Sequence, residues 1–342
     1  MSLSALSALL ALLHHEPPPV RVLLVKLSSL GDVVHAMPVV HDIRSVHPGA
    51  LIDWVVEPGF ATLVRRVDGV HSAIECALRR WRAAWWTVAV RREWRTFREA
   101  LTAEHYDAVI DLQGLTKSAV IARLAHGVSH GLANRTDGSS FEAPARWLVD
   151  HAIRIAPRTH ALDRSRLLAA QSLGYTLQGP PRFGLRAGAP PLAPRTLVFV
   201  HGTSRDDKLW PEANWIALGR QLLAQGWRLA LPQAGAAERL RADRIAAALG
   251  AGCEVWPAMD LDALVDRLGA THGVIGVDSG LSHIAVALDL PHVQIYNFPT
   301  AWRTGPQPAH GHRHQVSVQG QPTPEVAAVW NAWQQVQAVA AP

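Results

Sequence analysis

The stretch Val20-Arg-Val-Leu-Leu-Val25-Lys26-Leu-Ser-Ser29-Leu-Gly31-Asp32-Val-Val-His35-Ala-Met-Pro38 constrains the fold more than any other part of this chain. A short apolar run over 20–25 reads as a buried strand, and the small-residue turn after it gives way to helical spacing. One acid, Asp32, sits where the turn becomes the helix. In open α/β sheets ligands bind beyond the carboxyl ends of the strands, so an acid at that point faces a site rather than a core. The turn carries a single glycine, Gly31, and not G-x-G-x-x-G. The dinucleotide fingerprint is therefore missing, and a nucleotide-dependent dehydrogenase is disfavoured.

The strand–turn–helix unit recurs. The pattern predicts a helix over 33–46, a strand over 51–56 between Pro48-Gly49 and Pro58-Gly59, a helix over 94–104, a strand over 106–111 and a helix over 118–125. A Gly- and Pro-rich stretch over 177–194 interrupts the alternation, which then restarts. Strands are expected over 196–200, 227–231, 273–277 and 292–296. Helices are expected over 214–225, 236–249, 261–268 and 281–288, with a terminal one over 324–336. Alternation of this kind builds parallel sheets covered by helices on both faces. At 342 residues the chain is long enough for two full cores. The reading is an α/β protein of two Rossmann-like, doubly wound domains facing a central cleft. Its parts are an extension over 1–19, a first domain over 20–178, a linker over 179–194, a second domain over 195–320 and a terminal helical segment over 321–342.

The net charge of +5 favours an anionic partner. The two cysteines, Cys76 and Cys253, lack metal-ligand spacing, which fits a reduced, cytosolic chain. No run approaches the roughly 20 apolar residues of a membrane span. The apolar stretch 3–13 has no preceding Lys or Arg, and His14-His-Glu-Pro-Pro-Pro19 offers no small-residue cleavage site. An extension ending at the prolines is expected there rather than a signal peptide.

Four segments carry candidate chemistry. After the strand 196–200 comes His201-Gly-Thr203-Ser204-Arg-Asp-Asp-Lys208, whose amides, hydroxyls and ammonium suit a diphosphate. An ordinary capped polar loop would look the same. After the strand 273–277 comes Asp278-Ser279-Gly280-Leu281-Ser-His283. Helix-start amides there favour an anion, while Asp278 is suited either to sugar hydroxyls or to a simple N-cap. Glu238, beyond the strand 227–231, is placed for ribose hydroxyls or for solvent, and Met259 for a flat base or for the core. Finally, Arg79-Arg80-Trp81-Arg82-Ala-Ala-Trp85-Trp86 continues through Arg91, Arg92, Trp94 and Arg95 to Arg98. Cations interleaved with indoles suit an anionic amphiphile at a membrane or single-stranded nucleic acid, against the plainer alternative of a solvated basic face. Lys117, beyond Asp111-Leu-Gln113-Gly114, adds another cation near a strand end.

Taken together these segments resemble the lipopolysaccharide heptosyltransferases of glycosyltransferase family 9. The resemblance rests on Lys26-Leu-Ser-Ser-Leu-Gly-Asp32, Asp53-Trp-Val-Val-Glu57, Arg79-Arg-Trp-Arg82, Tyr106-Asp-Ala-Val-Ile-Asp111 with Gln113-Gly114 and Lys117-Ser118, Arg123-Leu-Ala-His-Gly127, Ser172-Leu-Gly-Tyr175, Arg205-Asp-Asp-Lys208 with Trp210-Pro211, and Val277-Asp-Ser-Gly-Leu-Ser-His283. The Ser-Ser-Leu-Gly-Asp turn is like that of the branch adding the first heptose. The resemblance implies a GT-B fold and an inverting transfer of heptose from ADP-L-glycero-β-D-manno-heptose to a Kdo residue of Kdo-lipid A. It implies no metal or other cofactor.

By the same resemblance Asp32 is the general base, and Lys208 supports departure of the diphosphate. Thr203, Ser204, Lys208, Glu238, Met259, Asp278, Ser279, Gly280, Leu281 and His283 bind the donor. Ser29, Gly31, Arg79, Arg80, Arg82, Gln113 and Lys117 bind the acceptor. The terminal helix is expected to pack back on the first domain. The expected protein is a cytoplasmic monomer at the inner face of the inner membrane, with no nucleic-acid partner. Another nucleotide-sugar transferase of the same fold, or a non-catalytic binder of lipopolysaccharide precursors, is the alternative. The chain departs from the family at Tyr296-Asn-Phe-Pro-Thr300 and over 301–321, and no roles are carried onto those residues.

Overall fold

The computed structural model describes residues 19–190 and 195–340. Nearly all of the 1–19 extension, and part of the linker, lie outside the described residues. Among those described, twelve strands form two parallel six-stranded sheets. The first contains β1 (Arg21–Val25), β2 (Leu51–Val56), β3 (Val70–Glu75), β4 (His105–Asp111), β5 (His126–Leu132) and β6 (His151–Ile153), in the order β3-β2-β1-β4-β5-β6. The second contains β7 (Thr196–Val200), β8 (Arg228–Leu231), β9 (Cys253–Val255), β10 (Val274–Val277), β11 (His292–Tyr296) and β12 (Gln315–Gln319), in the order β12-β11-β10-β7-β8-β9. Counted from its own first strand, each sheet has the doubly wound order 3-2-1-4-5-6. Each therefore reverses its winding once, between β1 and β4 and between β7 and β10. The crevice at such a reversal is where open sheets bind ligands; the segments around Asp32, Gln113, Lys208 and Asp278 follow these four strands, whereas Glu238 follows β8 and Arg79 to Arg98 follow β3.

The central strands are apolar because helices cover both their faces. Val22 to Val25 and Leu197 to Phe199 are fully buried. The edge strands β3, β6, β9 and β12, together with β5, were not expected from the sequence. Their segments, such as Val70-His-Ser-Ala-Ile-Glu75 and Gln315-Val-Ser-Val-Gln319, mix polar residues in because an edge is covered on fewer sides. The expected helix over 33–46 is two helices, Leu30–Ala36 and Pro38–Val46. Pro38 has no N–H to continue the first and is favoured in the opening turn of the second.

The terminal helix corrects an expectation. Val326–Ala340 does not pack back on the first domain; its buried residues Val329, Ala332, Trp333 and Val336 belong to the core of the second. Trp333 meets Trp227 edge-on with ring centroids 5.5 Å apart. The chain before the helix is held by the Trp210 indole, which donates to Pro324 O at 2.8 Å.

The domains meet through other elements. Arg66, at the end of the Pro58–Arg65 helix, donates to Asp262 at 2.6 Å and to both oxygens of Asp266 at 2.5 and 2.8 Å, both acids lying on the Leu261–Gly269 helix. The Leu30–Ala36 and Gly280–Ala287 helices approach so closely that glycine is needed on each side. A Cβ on Gly31 would come within 2.7 Å of the His283 ring, and one on Gly280 within 2.6 Å of Leu30.

Removing the Trp333 side chain leaves a large cavity in the second core. Trp333→Ala should cost about 3–5 kcal/mol, read by chemical denaturation followed through the second domain. A loss well under 1 kcal/mol would mean that the terminal helix does not anchor that core.

Candidate active site

A cavity of about 400 Å³ lies between the domains. Ser29 and Gly31 line it from the first domain. Thr203, Ser204, Lys208, Glu238, Asp278, Ser279, Gly280, Leu281 and His283 line it from the second. Its walls are the loops after β1, β7, β8 and β10, so the matching strand orders bring these sequence-distant residues together. A smaller cavity of about 150 Å³ adjoins it and is lined by Asp32, His35, Arg164, Lys208, Asp278, His283 and Arg303 among others.

Asp32 stands in the first turn of the Leu30–Ala36 helix. Its Oδ2 accepts from the Ser29 hydroxyl at 3.0 Å and from the Ser29 amide at 3.3 Å. Its Oδ1 lies 3.6 Å from Lys26 Nζ and 3.8 Å from an Arg164 guanidinium nitrogen. Burial opposes the charged form, but Lys26, Arg164 and the Ser29 hydrogen bonds outweigh it and hold the carboxyl below its ordinary value. The side chain remains 37% exposed. Asp32 is thus an ionised acceptor, fixed in direction and reachable from the cleft.

The cations behind Asp32 are themselves buried. Lys26 follows β1 directly, is 2% exposed and donates to Leu112 O at 3.2 Å. Burial lowers its ammonium pKa, while Asp32 opposes that shift. Asp111, at the end of β4, accepts from the amides of Gln113 and Gly114 and from the Ser118 hydroxyl. Burial nevertheless pushes it up to about 6. Lys26 and Arg164 were given no role from the sequence. Lys26 was legible as the residue that follows the first strand, but Arg164 reaches Asp32 only through tertiary packing of the Ala161–Leu173 helix.

Across the cleft Asp278 follows β10. Lys208 Nζ donates to its Oδ2 at 2.6 Å, and His283 Nε2 lies 3.3 Å from its Oδ1. Burial works against its charge, but His283 and Lys208 hold the carboxyl well below the usual range. Asp278 thus orients Lys208. The His283 ring lies 4.4 Å from that of His35, whose imidazole is kept neutral by burial and by the neighbouring cations. Ser279 stands at the N-cap position of the Gly280–Ala287 helix without capping it, its hydroxyl having no partner, and this helix start lines the larger cavity. Glu238 accepts from the Ala234 amide at 2.6 Å.

Other expected site residues lie elsewhere. Met259 packs against the core and does not line the cavity. Gln113 is buried, and its side-chain oxygen accepts from the Leu27 and Ser28 amides at 3.1 and 3.3 Å. It shapes the Asp32 turn from behind. Lys117 lies on the Thr116–Leu124 helix and lines neither cavity.

Arg79, Arg80 and Arg82 lie on the Leu78–Ala84 helix, away from both cavities. Arg79 pairs with Glu57 at 3.2 Å and Arg80 with Glu93 at 2.7 Å. The tryptophans of this region divide. Trp81 is buried and donates to Glu93 at 2.8 Å, whereas Trp85 and Trp86 are 68% and 61% exposed. Trp81, Arg82, Trp85, Arg91 and Trp94 line a separate apolar groove of about 430 Å³.

Among the described residues, one group has ligand atoms close enough for a metal ion: His160, Asp163 and His310, within 4.8 Å of one another. Several of their atoms already have partners, although His310 Nδ1 has none. His160 Nδ1 accepts from the Leu162 amide, its Nε2 meets Gly305 O, and His310 Nε2 meets Asp163 at 2.9 Å. The group ties the second domain to the Ala161–Leu173 helix.

The model of glycosyltransferase family 9 (heptosyltransferase) matches residues 94–331. Lipopolysaccharide heptosyltransferase 1 of Escherichia coli strain K12 is 43% identical over 282 residues, covering 81% of this chain and 87% of that protein. The protein of the same name from Pseudomonas aeruginosa is 41% identical over 281 residues, covering 81% and 78%. The solved structure of E. coli heptosyltransferase WaaC with ADP matches with a TM-score of 0.77 at 37% identity, covering 93% of this chain and 99% of that one. The same enzyme with ADP-2-deoxy-2-fluoro heptose gives 0.76 at 38%, covering 94% and 100%. The two-domain GT-B architecture expected from the sequence is the one found.

The environment of Asp32 sets a pH test. Because its folded pKa is depressed, its pairing stabilises the fold above the ordinary carboxyl range and is lost as pH falls through the lowered value. Arg164→Gln should raise the Asp32 pKa, followed by carbon-13 NMR of labelled aspartate. An unmoved titration would show that Arg164 does not act on Asp32.

Proposed function

Because the chain belongs to glycosyltransferase family 9, we propose that its cleft transfers heptose from ADP-L-glycero-β-D-manno-heptose to a Kdo hydroxyl of Kdo-lipid A during assembly of the lipopolysaccharide inner core. The observation that carries this reading is the ionised, oriented carboxylate of Asp32, which shares the smaller cavity with Lys208, while Lys208 and a helix N-terminus line the adjoining larger one.

The donor diphosphate lies against the amides of Ser279, Gly280 and Leu281, with Thr203, Ser204 and Lys208 on its other side. Amides at a helix start supply partial positive charge without side-chain cost. Lys208 exchanges Asp278 for the phosphate oxygens, which frees Asp278 for hydroxyls of the heptose. Glu238 takes the ribose.

Asp32 accepts the proton of the Kdo hydroxyl as that oxygen bonds to the anomeric carbon. The bond from that carbon to the phosphate oxygen breaks on the opposite face. ADP leaves with the electron pair, and the configuration inverts. A carboxylate is a weak base, but the hydroxyl acidifies as its bond to carbon forms, so a late proton transfer suffices. Lys208 and the helix-start amides stabilise charge that grows on the leaving oxygen, and such stabilisation counts directly toward rate. The negative charge of Asp32 also favours an oxocarbenium-like transition state.

The lipid part of the acceptor meets the Leu78–Ala84 and Val88–Thr102 helices. Trp85, Trp86 and Val88 are exposed there beside Arg79, Arg80, Arg82, Arg91 and Arg92. Indoles settle at a bilayer interface, and each basic residue near an anionic surface adds about 1 kcal/mol. Among the described residues no helix is long and apolar enough to cross a membrane. The enzyme works from the cytoplasmic face as a peripheral protein.

ADP release should depend on both ADP-heptose and a de-acylated Kdo-lipid A. A donor panel with other ADP- and UDP-sugars tests the choice of donor. Asp32→Ala should lower turnover by roughly 10²–10⁴-fold while ADP affinity stays nearly constant; retained turnover sinks the base assignment. Arg80→Ala combined with Arg82→Ala should raise the acceptor KM more than the donor KM. The opposite split would remove these helices from the acceptor surface.

A further inference from the structure

The segment after β11 crosses the cleft. Its short helix, Ala301–Thr304, belongs to the second domain, with the Tyr296 hydroxyl 3.2 Å from Thr304 Oγ1 and Gln307 Nε2 donating to Trp302 O at 2.7 Å. The turn that follows is fastened to the first domain. His160 Nε2 lies 3.1 Å from Gly305 O, and His310 Nε2 lies 2.9 Å from Asp163. This strap places Arg303 in the smaller cavity, beside Asp32 and Arg164. The guanidinium lies across Gly138, whose missing side chain leaves the space it occupies.

Arg303 differs from every other charged group there. Lys208 has Asp278, and Arg164 shares Asp32 with Lys26. Among the described residues Arg303 pairs with no carboxylate, and its buried Nε has no hydrogen-bond partner. Three cations and two carboxylates line the cavity, and a fourth cation, Lys26, stands behind Asp32. Burial lowers the pKa of Arg164, Asp32 opposes that shift, and the neighbouring Arg303 adds to it. A cation excess beside a sugar-sized space is suited to an anionic ligand group.

We propose that Arg303 binds the carboxylate of the acidic acceptor sugar and so presents the acceptor hydroxyl to Asp32. This rests on the acceptor reading above. The donor diphosphate is the other source of negative charge, but the elements suited to it, Ser204, Ser279 and Gly280, line the larger cavity and not this one. A planar guanidinium matches a carboxylate in two parallel hydrogen bonds, which fixes the ring plane as well as its position. Fixing that plane sets the approach of the attacking oxygen, where small misplacements cost rate. The sequence offered no pointer, because Arg303 lies in the stretch that departs from the family.

The test pairs Arg303→Ala and Arg303→Lys with two acceptors, the natural carboxylate and its methyl ester. Arg303→Ala should raise the KM for the carboxylate acceptor about 10- to 100-fold and leave the donor KM and ADP affinity within about twofold. The ester should be a poor acceptor for the parent enzyme and should lose nothing further on substitution. Arg303→Lys should restore part of the affinity for the carboxylate. Equal losses on both acceptors would overturn the proposal in favour of a structural role, with thermal unfolding reporting the fold. A fall in ADP affinity with the acceptor KM unchanged would overturn it in favour of the diphosphate. If the parent transfers no heptose, the acceptor reading itself fails. Calorimetry with free Kdo then decides the anion site: binding lost in Arg303→Ala supports it, and binding unchanged overturns it.

Discussion

Two helices, one from each domain, begin immediately after switch-point strands and meet across the cleft, and the closeness of that meeting organises the site. Gly31 admits the His283 ring, and Gly280 admits Leu30. A methyl group at either place would push the domains apart or displace the partner side chain. Asp32 and Asp278 stand within a few residues of these contacts, so their separation depends on backbone packing and not on flexible side chains. The Arg66 ion pairs and the His310–Asp163 contact hold the same two domains at other points of their boundary.

Charge burial forms a second layer of this design. Lys26, Asp111 and Arg164 are almost wholly removed from water, and burying charge is costly unless partners compensate. The compensation converges on Asp32, which stays ionised because two cations lie behind it. Asp278 plays the mirrored part, holding Lys208 and His283 in place from the second domain. Each side of the cleft thus carries a low-pKa carboxylate with fixed cation partners, and the two differ in access. Asp32 is 37% exposed, whereas the Asp278 side chain is 6% exposed. That difference suits the first to exchange a proton with a ligand and the second to orient its neighbours.

The central strands were legible because strands covered on both faces must be continuously apolar. Leu51–Val56, Thr196–Val200 and His292–Tyr296 have the bounds that their patterns predict. The four edge strands were not, because partial exposure removes that signal. Most of the second-domain residues that line the larger cavity could be named from the loops following β7 and β10, since a strand end announces a site in this architecture. Met259, Gln113 and Lys117 line neither cavity, because being near a motif in the chain does not decide whether a side chain lines a cavity. The terminal helix was placed on the wrong domain because its apolar face, read alone, fits either core. Only the pocket around Trp227 and Gly273 decides where Trp333 goes.

By itself the sequence determined the class of fold, the family and the place of an acid, Asp32, just beyond a strand at the switch point of the first sheet. These are local properties, written in hydrophobic period, turn residues and short motifs. Tertiary structure alone decided which cations stand behind Asp32, which carboxylate orients Lys208, and that Arg303 crosses from one domain into the space beside the other's carboxylate. Lys208 and Asp278 are 70 positions apart, Arg164 and Asp32 are 132 apart, and Arg303 and Asp32 are 271 apart, and no periodicity links such residues along a chain. They arise where two separately wound sheets bring their switch points face to face.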